Sequence, residues 1–291
     1  MSMVSPVSQG VDRRTCTRLV QRALREDIGA GDLTTRRVVA ARARGVGTIV
    51  AKGPLVLCGL SLAREVFHRL DPALRFEALR AEGSLVRAGT PVARVEGRAA
   101  SILSGERTAL NFLQHLSGIS TLTRRCVERA RGRCRIRDTR KTHPGLRDLE
   151  KYAVRVGGGE NHRFRLDDGI LIKHNHWRVS GGVGEAVRRA RRAGGVGRAR
   201  AIQVEVSTLG DLREAIDAGA DGVLLDNLSP RQIHRALAVA RGRVHVEVSG
   251  GITENTVARF AAFHPDALSL GALTHSAPWA DLALRLEGRE R

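Results

Sequence analysis

Six short polar or glycine-rich groups recur in the second half of the chain, each directly after a short apolar run. They are Asp138-Thr139-Arg140-Lys141, Lys173, Glu205, Asp226-Asn227, Ser249-Gly250-Gly251 and Gly271-Ala272. Glycines let backbone N–H groups approach an oxyanion closely, and a helix starting just beyond adds a favourable dipole. The clusters at 249–251 and 271–272 therefore read together as one phosphate clamp. A single Gly-Gly more often marks a tight turn, so the reading rests on the pair.

Arg140, Lys141, Arg163 and Lys173 form a cationic set. Planar guanidinium groups suit bidentate carboxylate or phosphate binding, and a lysine acts as a movable point charge. The plain alternative is a set of solvated charges. Against it, two of the four lysines, Lys141 and Lys173, stand at run ends in a chain otherwise saturated with arginine. Glu205 and Asp226 end neighbouring runs, where they could hold ribose hydroxyls, a Mg²⁺ carried in by a polyphosphate, or the arginines. His162 reads equally as an anion donor and as a packed histidine. His174 and His176 would point the same way on a strand, but no third ligand accompanies them, which argues against a metal site.

These groups need a scaffold that gathers run ends on one face. The runs AIQVEV (201–206), GVLLD (222–226), VHVEV (244–248) and ALSL (267–270) alternate with segments of helical spacing at 209–218 and 230–240. Ser207 or Thr208 and Ser229 are the expected N-caps. This rhythm is that of βα units around a parallel sheet. Runs at 135–138 and 169–173 extend the count to six, with a seventh strand expected near 155–159. In an α/β barrel the C-terminal strand ends form the active face, and phosphate commonly sits after the last two strands. The first half reads as an α+β domain, with strand-like runs at 47–52, 76–79 and 91–95. A helix is expected from Ile102 to Ile119, with Leu110, Leu113 and Leu116 as its buried stripe and Gly118 as its terminus. The boundary is expected there, giving an N-terminal domain at 1–118 and a barrel domain at 119–275.

Composition narrows the partners. The 291 residues carry a formal charge of +19, and 42% of them are hydrophobic, enough for a substantial core. The arginines are spread along the whole chain and aromatic residues make up 3%, which argues for compositional bias over specific nucleic-acid binding. Part of the excess would steer small anions. No apolar run is long enough to span a membrane, so the expectation is a cytoplasmic protein without membrane contact and with a short disordered leader at 1–10. Cys16, Cys58, Cys126 and Cys134 lack zinc-site spacing and read as reduced thiols.

Across nearly its whole length the chain resembles the quinolinate phosphoribosyltransferases, also called nicotinate-nucleotide pyrophosphorylases (carboxylating). The matching stretches are EDIGAGDLT (26–34), SGERTALN (104–111), DTRKT (138–142), GGGENHR (157–163), LIK (171–173), VEV (204–206), LLDN (224–227), VSGGIT (248–253) and LGALTHS (270–276). The resemblance implies an incomplete C-terminal (β/α) barrel joined to an N-terminal α+β sandwich, to which the segment 276–291 returns. It implies phosphoribosyl transfer from phosphoribosyl pyrophosphate to the nitrogen of quinolinate, then decarboxylation to nicotinate mononucleotide, within NAD biosynthesis. On the matched positions, Thr139, Arg140, His162, Arg163 and Lys173 would surround the dicarboxylate, with Lys141 near the phosphates. Lys141, Lys173, Glu205 and Asp226 would be the catalytic set, the two carboxylates facing the ribose and Mg²⁺, indirectly in the case of the metal. Ser249, Gly250, Gly251, Leu270, Gly271, Ala272 and His275 would bind the 5-phosphate. Arg107 would be shared across a homodimer interface. The chain departs from the family at His174, where an acidic residue is frequent, and at Ser207, where an acidic or amide residue is. A relative using another acceptor base is the alternative enzyme, and a basic nucleic-acid-binding protein the alternative of another class.

Overall fold

The computed structural model describes residues 11–194 and 201–289; the leader expected at 1–10 lies outside them. Two compact units result. The first comprises the chain up to Arg124, Asp148–Gly158 and Ala277 onward, the second Arg125–Arg147 and Gly159–Ser276. Thus 148–158, expected in the barrel domain, packs within the first unit.

The first unit opens with α1 (Arg13–Ile28) and α2 (Leu33–Val38), then β1 (Arg44–Ala51), β2 (Leu55–Val56), α3 (Leu60–Leu70), β3 (Arg75–Ala78), β4 (Leu85–Val86), β5 (Pro91–Arg98) and α4 (Ala99–Ala130). It also holds α5 (Arg147–Val156), apart from that helix's first residue, and the last strand, β12 (Leu282–Arg289). An antiparallel sheet runs β12-β1-β5-β3, and β2 pairs with β4. The pairing of β1 with β12 spans Arg44↔Arg289 to Ala51↔Leu282, so the chain's end completes the sheet that its beginning starts.

Helix α4 buries Leu110, Leu113 and Leu116 as expected, each burial worth about 1.5–3 kcal/mol. It does not stop at Gly118. A Cβ there would lie 2.1 Å from the Pro278 carbonyl oxygen, so this glycine marks a close backbone approach inside a continuing helix, and the C-cap reading of it is corrected. Glu82 supplies the cap that α3 lacks at its own N-terminus. Its carboxylate accepts the Gly59 and Leu60 N–H groups, the latter at 3.1 Å, and the Tyr152 hydroxyl at 2.9 Å. Burial raises the Glu82 pKa, and these donors only partly offset it. The four cysteines are free, and burial pushes Cys16 and Cys134 to about 11 and Cys126 to about 12. Such thiols are inert.

The second unit contains six parallel strands: β6 (Arg135–Arg137), β7 (Ile170–Ile172), β8 (Ile202–Val206), β9 (Gly222–Asp226), β10 (His245–Ser249) and β11 (Ala267–Ser269). Their order is β6-β11-β10-β9-β8-β7. Consecutive strands are neighbours and the first lies beside the last, as in a barrel, but β6 and β7 do not pair. A single parallel bridge between Arg137 and Glu160 begins to fill that gap. The seventh strand expected at 155–159 is absent: that stretch is the end of α5 and a turn, because Tyr152, Ala153 and Val154 carry helical burial up to Val156.

Between the strands run α6 (His174–Ser180), α7 (Val183–Ala193), α8 (Leu209–Asp217), α9 (Pro230–Ala240), α10 (Val257–Ala261) and α11 (Ala272–His275). Thr208 caps α8 reciprocally with Asp211, and Ser229 caps α9 with Gln232. Each such cap contributes on the order of 1 kcal/mol and fixes where a strand-end loop turns into helix. Among the described residues no helix is long and apolar enough to cross a membrane.

Candidate active site

Strand alternation decides what faces the interior of the open barrel. On β8, Ile202, Val204 and Val206 are buried on the helix side, leaving Gln203 and Glu205 on the other face; on β10, Val246 and Val248 leave His245, Glu247 and Ser249. The same period selects Leu224 and Asp226 on β9, Ser269 and then Gly271 on β11, Arg137 and then Thr139 on β6, and Leu171 and then Lys173 on β7. A cavity of about 640 Å³ opens at the C-terminal strand ends, and these residues line it except Gln203, His245 and Arg137.

Going around the mouth in strand order, the chemistry is segregated. Lys173 follows β7, Glu205 ends β8, Asp226 ends β9, Ser249-Gly250-Gly251 follows β10, Gly271-Ala272 follows β11, and Thr139-Arg140-Lys141 follows β6. The segment crossing the gap between β6 and β7 contributes His162 and Arg163. Arg140, His162, Arg163 and Lys173 therefore come from the open side, the glycine loops from the opposite side, and the carboxylates from between.

The open side gathers positive charge. Arg163 Nη1 donates to the Gly169 carbonyl at 3.0 Å. Burial first, and then the neighbouring Arg140 charge, hold the Arg163 pKa below its usual value, although a guanidinium stays charged. The Arg140 Nε–H is buried and has no hydrogen-bond partner. A buried guanidinium donor left unpaired costs stability unless a ligand meets it. Asp138, fully buried, accepts the His162 backbone N–H at 2.9 Å and the Asn161 side-chain amide at 2.5 Å, which anchors the 161–163 segment.

Backbone geometry dominates the glycine side. Gly250 has φ +98°, and a Cβ there would lie 2.2 Å from Asn227 Oδ1 and 2.7 Å from the Asn227 backbone nitrogen. At Gly271 a Cβ would meet Lys141 Cδ at 3.0 Å and His275 Nε2 at 3.0 Å, so Lys141 lies along the glycine loop. Thr274 ties that arrangement down by donating to the Lys141 carbonyl at 2.7 Å. The expected helix dipole behind the first cluster is not delivered directly, since five residues separate Gly251 from α10, and α11 is a single turn. Loop N–H groups are left as the oxyanion donors on this side.

Glu205 lies 3.9 Å from the Lys173 ammonium and accepts the His174 N–H at 3.4 Å. Together with Asp226 it offers two carboxylates on adjacent strand ends, and no cluster of three His, Cys, Asp or Glu ligands among the described residues includes either. Two carboxylates fit a Mg²⁺ that keeps waters and takes its other oxygens from a substrate, and do not fit a fully protein-ligated ion.

Two expected residues stand apart. Leu270 is buried and its N–H is committed to the Arg137 carbonyl at 2.9 Å, so it lines no part of the cavity. Arg107 is exposed on α4 and does not line it either. His174 and His176 begin α6 and are not on a strand; the shared direction expected of them does not arise. His176 Nδ1 accepts the Lys173 N–H at 2.9 Å, and His174 packs edge-on against Trp177.

The sequence reading missed Glu247. It is fully buried at the cavity floor and accepts hydrogen bonds from Ser269 Oγ, Gln203 Nε2 at 3.1 Å and Arg137 Nη1 at 3.1 Å. Burial pushes its pKa up, but the hydrogen bonds from Ser269 and Gln203 and the Arg137 charge work against burial, and its pKa lies below the usual carboxylate value. Its signal was present: Val246-Glu247-Val248 repeats the Val204-Glu205-Val206 pattern, a charge on the inner face of a buried strand.

Comparison with known proteins agrees with this architecture over both units. Residues 32–117 match the N-terminal domain of quinolinate phosphoribosyl transferase, and 119–285 match its C-terminal domain. A probable nicotinate-nucleotide pyrophosphorylase [carboxylating] of Bacillus subtilis is 42% identical over 262 residues, covering 89% of each chain. One from Methanocaldococcus jannaschii is 40% identical over 277 residues, covering 92% of this chain and 95% of its own. The structure of the nicotinate-nucleotide pyrophosphorylase from Francisella tularensis superposes with a TM-score of 0.91 at 38% identity, covering 98% of this chain and 100% of that one. With both domain models matched in order, the chain belongs to the quinolinate phosphoribosyltransferase family.

Proposed function

We propose that this protein transfers the phosphoribosyl group of phosphoribosyl pyrophosphate to the ring nitrogen of quinolinate and releases CO₂ and pyrophosphate, forming nicotinate mononucleotide. The observation that carries the reading is the unpaired, buried Arg140 donor beside Arg163, facing a glycine-lined loop across two carboxylates. A dicarboxylate would fill the cationic side, with Arg140, Arg163 and Lys173 offering bidentate and point-charge contacts. The 5-phosphate would sit on Ser249-Gly250-Gly251 and Gly271-Ala272, with His275 beside it.

The bond from ribose C1 to the pyrophosphate oxygen breaks while the quinolinate nitrogen lends its pair to C1. Positive charge grows on the ribose near Glu205 and Asp226, which stabilise it electrostatically. Lys141, packed along the Gly271 loop, faces the leaving phosphates. A Mg²⁺ held through Glu205 and Asp226 would neutralise charge on the pyrophosphate. Once the ring nitrogen is cationic, it stabilises the electron pair left on the adjacent ring carbon as CO₂ departs, and that carbon takes a proton from solvent. Lys173 and the arginines need only hold the ring in place. Arg107 of a second subunit completing the pocket, in a homodimer, belongs to the same proposal.

The test supplies purified protein with quinolinate, phosphoribosyl pyrophosphate and Mg²⁺ and follows CO₂ and nicotinate mononucleotide. Product is expected with quinolinate. Folded protein that forms none refutes the assignment, and equal affinity for nicotinate and quinolinate would exclude a dicarboxylate site.

A further inference from the structure

Below the proposed substrate contacts, three side chains and one backbone N–H form a directed chain whose orientation is fixed at both ends. Glu247 accepts hydrogen bonds only, so the Gln203 amide must turn its NH₂ toward it, at 3.1 Å. That leaves the Gln203 carbonyl oxygen facing His162 Nε2 at 3.2 Å, and Nε2 must then carry the proton. From the other side, the Arg163 backbone N–H donates to His162 Nδ1 at 2.8 Å, which requires Nδ1 to be bare. Two independent constraints select the same tautomer.

We propose that Glu247 is a positioning residue for the reaction: through Gln203 it locks His162 in the Nε2–H tautomer, and His162 in turn holds the Arg163 backbone that aims the Arg163 guanidinium. Without the Glu247 charge, the Gln203 amide can flip and present NH₂ to His162. Nε2 would become the acceptor, the proton would move to Nδ1, and the Arg163 N–H would face another N–H. The charged groups around this chain are Glu247, its partner Arg137, which also pairs with Glu160, Asp138 on the His162 backbone, and Arg163 with Arg140 and Asp168 beside it. Glu247 also lies 3.7 Å from His162 Nε2, a direct ion pair if the ring were doubly protonated. The shorter contact to Gln203 and the donor at Nδ1 favour the relay. Arg137 pairs with the buried carboxylate at 3.1 Å, and with Glu160 at 3.3 Å, without itself lining the cavity.

This inference rests on the quinolinate reading only for its kinetic arm. The structural arm uses the whole protein labelled with ¹⁵N-histidine, with two-bond ¹H–¹⁵N correlation at neutral pH and the His162 signals assigned by H162N. The wild type is expected to show a bare Nδ1 and a protonated Nε2. Glu247→Gln is expected to shift His162 to a mixture or to the other tautomer. Gln203→Met, which leaves the carboxylate in place, is expected to do the same, and it guards against a folding failure of the first variant. In turnover, both variants should raise the quinolinate KM about 10-fold or more, the scale of one misdirected charged hydrogen bond, while the phosphoribosyl pyrophosphate KM stays within about twofold. A His162 tautomer unchanged in both folded variants overturns the proposal, as does a doubly protonated His162 in the wild type. If the tautomer shifts as expected but no quinolinate is turned over, the positioning chain stands and the substrate assignment fails.

Discussion

Replacing Gly250 and Gly251 separately by alanine tests the idea that the glycine side of the cavity is shaped by close backbone approach. Both residues have positive φ, +98° and +60°. Each substitution therefore pays a conformational cost of about 1–2 kcal/mol. At Gly251 nothing lies within 4 Å of the added Cβ, so the cost ends there. At Gly250 the methyl would sit 2.2 Å from Asn227 Oδ1 and 2.7 Å from the Asn227 backbone nitrogen. The side-chain oxygen can rotate away, but the backbone nitrogen is tied to the Ser249 carbonyl at 3.1 Å, so the loop itself must move. A forced backbone shift in a packed site adds about 1–3 kcal/mol. We expect Gly251→Ala to lose about 1–2 kcal/mol in urea unfolding and Gly250→Ala about 2–5 kcal/mol. A displacement near 1 Å of the phosphate-facing N–H groups should also cost Gly250→Ala about 100-fold in kcat/KM when phosphoribosyl pyrophosphate is varied. If Gly250→Ala is no less stable than Gly251→Ala and keeps its kcat/KM, steric approach does not set this loop.

Three further outcomes follow from the same geometry. Arg140→Ala and Lys173→Ala should each leave the fold intact by circular dichroism and lower kcat/KM by about 30-fold or more, the loss expected when one partner of a charged contact that the bound substrate would bury is removed; near-normal turnover of either variant would end its assigned role. Gly118→Ala should lower the unfolding midpoint, because the Pro278 carbonyl at 2.1 Å from the new Cβ cannot be avoided by rotamer choice; an unchanged midpoint would show that the helix and the chain beyond 276 separate freely. Glu82 has a pKa raised in the fold above its usual 4.5, so the fold binds that proton more tightly than the unfolded chain and this contribution is lost as pH rises through the raised value. Glu82→Gln should therefore flatten the decline of stability from pH 4.5 upward, and a slope identical to wild type would refute the shift.

Much of the site was readable because its residues sit at strand ends, where local sequence changes abruptly from apolar to polar. Thr139, Arg140, Lys141, Lys173, Glu205, Asp226 and the glycine clusters all announce themselves that way, and the structure gathers them around one cavity. Strands β8 to β11 and the caps Thr208 and Ser229 were legible for the same reason: period-two burial and capping chemistry are local. What escaped was set by distant partners. Gly118 resembles a helix end until the chain near Pro278 is laid against it. The stretch at 155–159 begins with Arg155-Val156 and three glycines, but α5 is held helical up to Val156 by tertiary burial of Tyr152 and Val154. Glu247 hid inside a strand, where a charge is tolerable only because Arg137, Gln203 and Ser269 arrive from three other strands.

The pairing of β1 with β12 also bears on how the protein is made. Strand β1 emerges from the ribosome well before its partner, Leu282–Arg289, which lies more than 200 residues further along the chain. At about 5–20 residues per second, β1 waits on the order of ten seconds or more with one edge open. An open strand edge is a template for pairing with another chain. Nascent chains crowded on one message are thus exposed to swapped or aggregated β1 edges until β12 emerges, and a stop codon before Leu282 would make that exposure permanent.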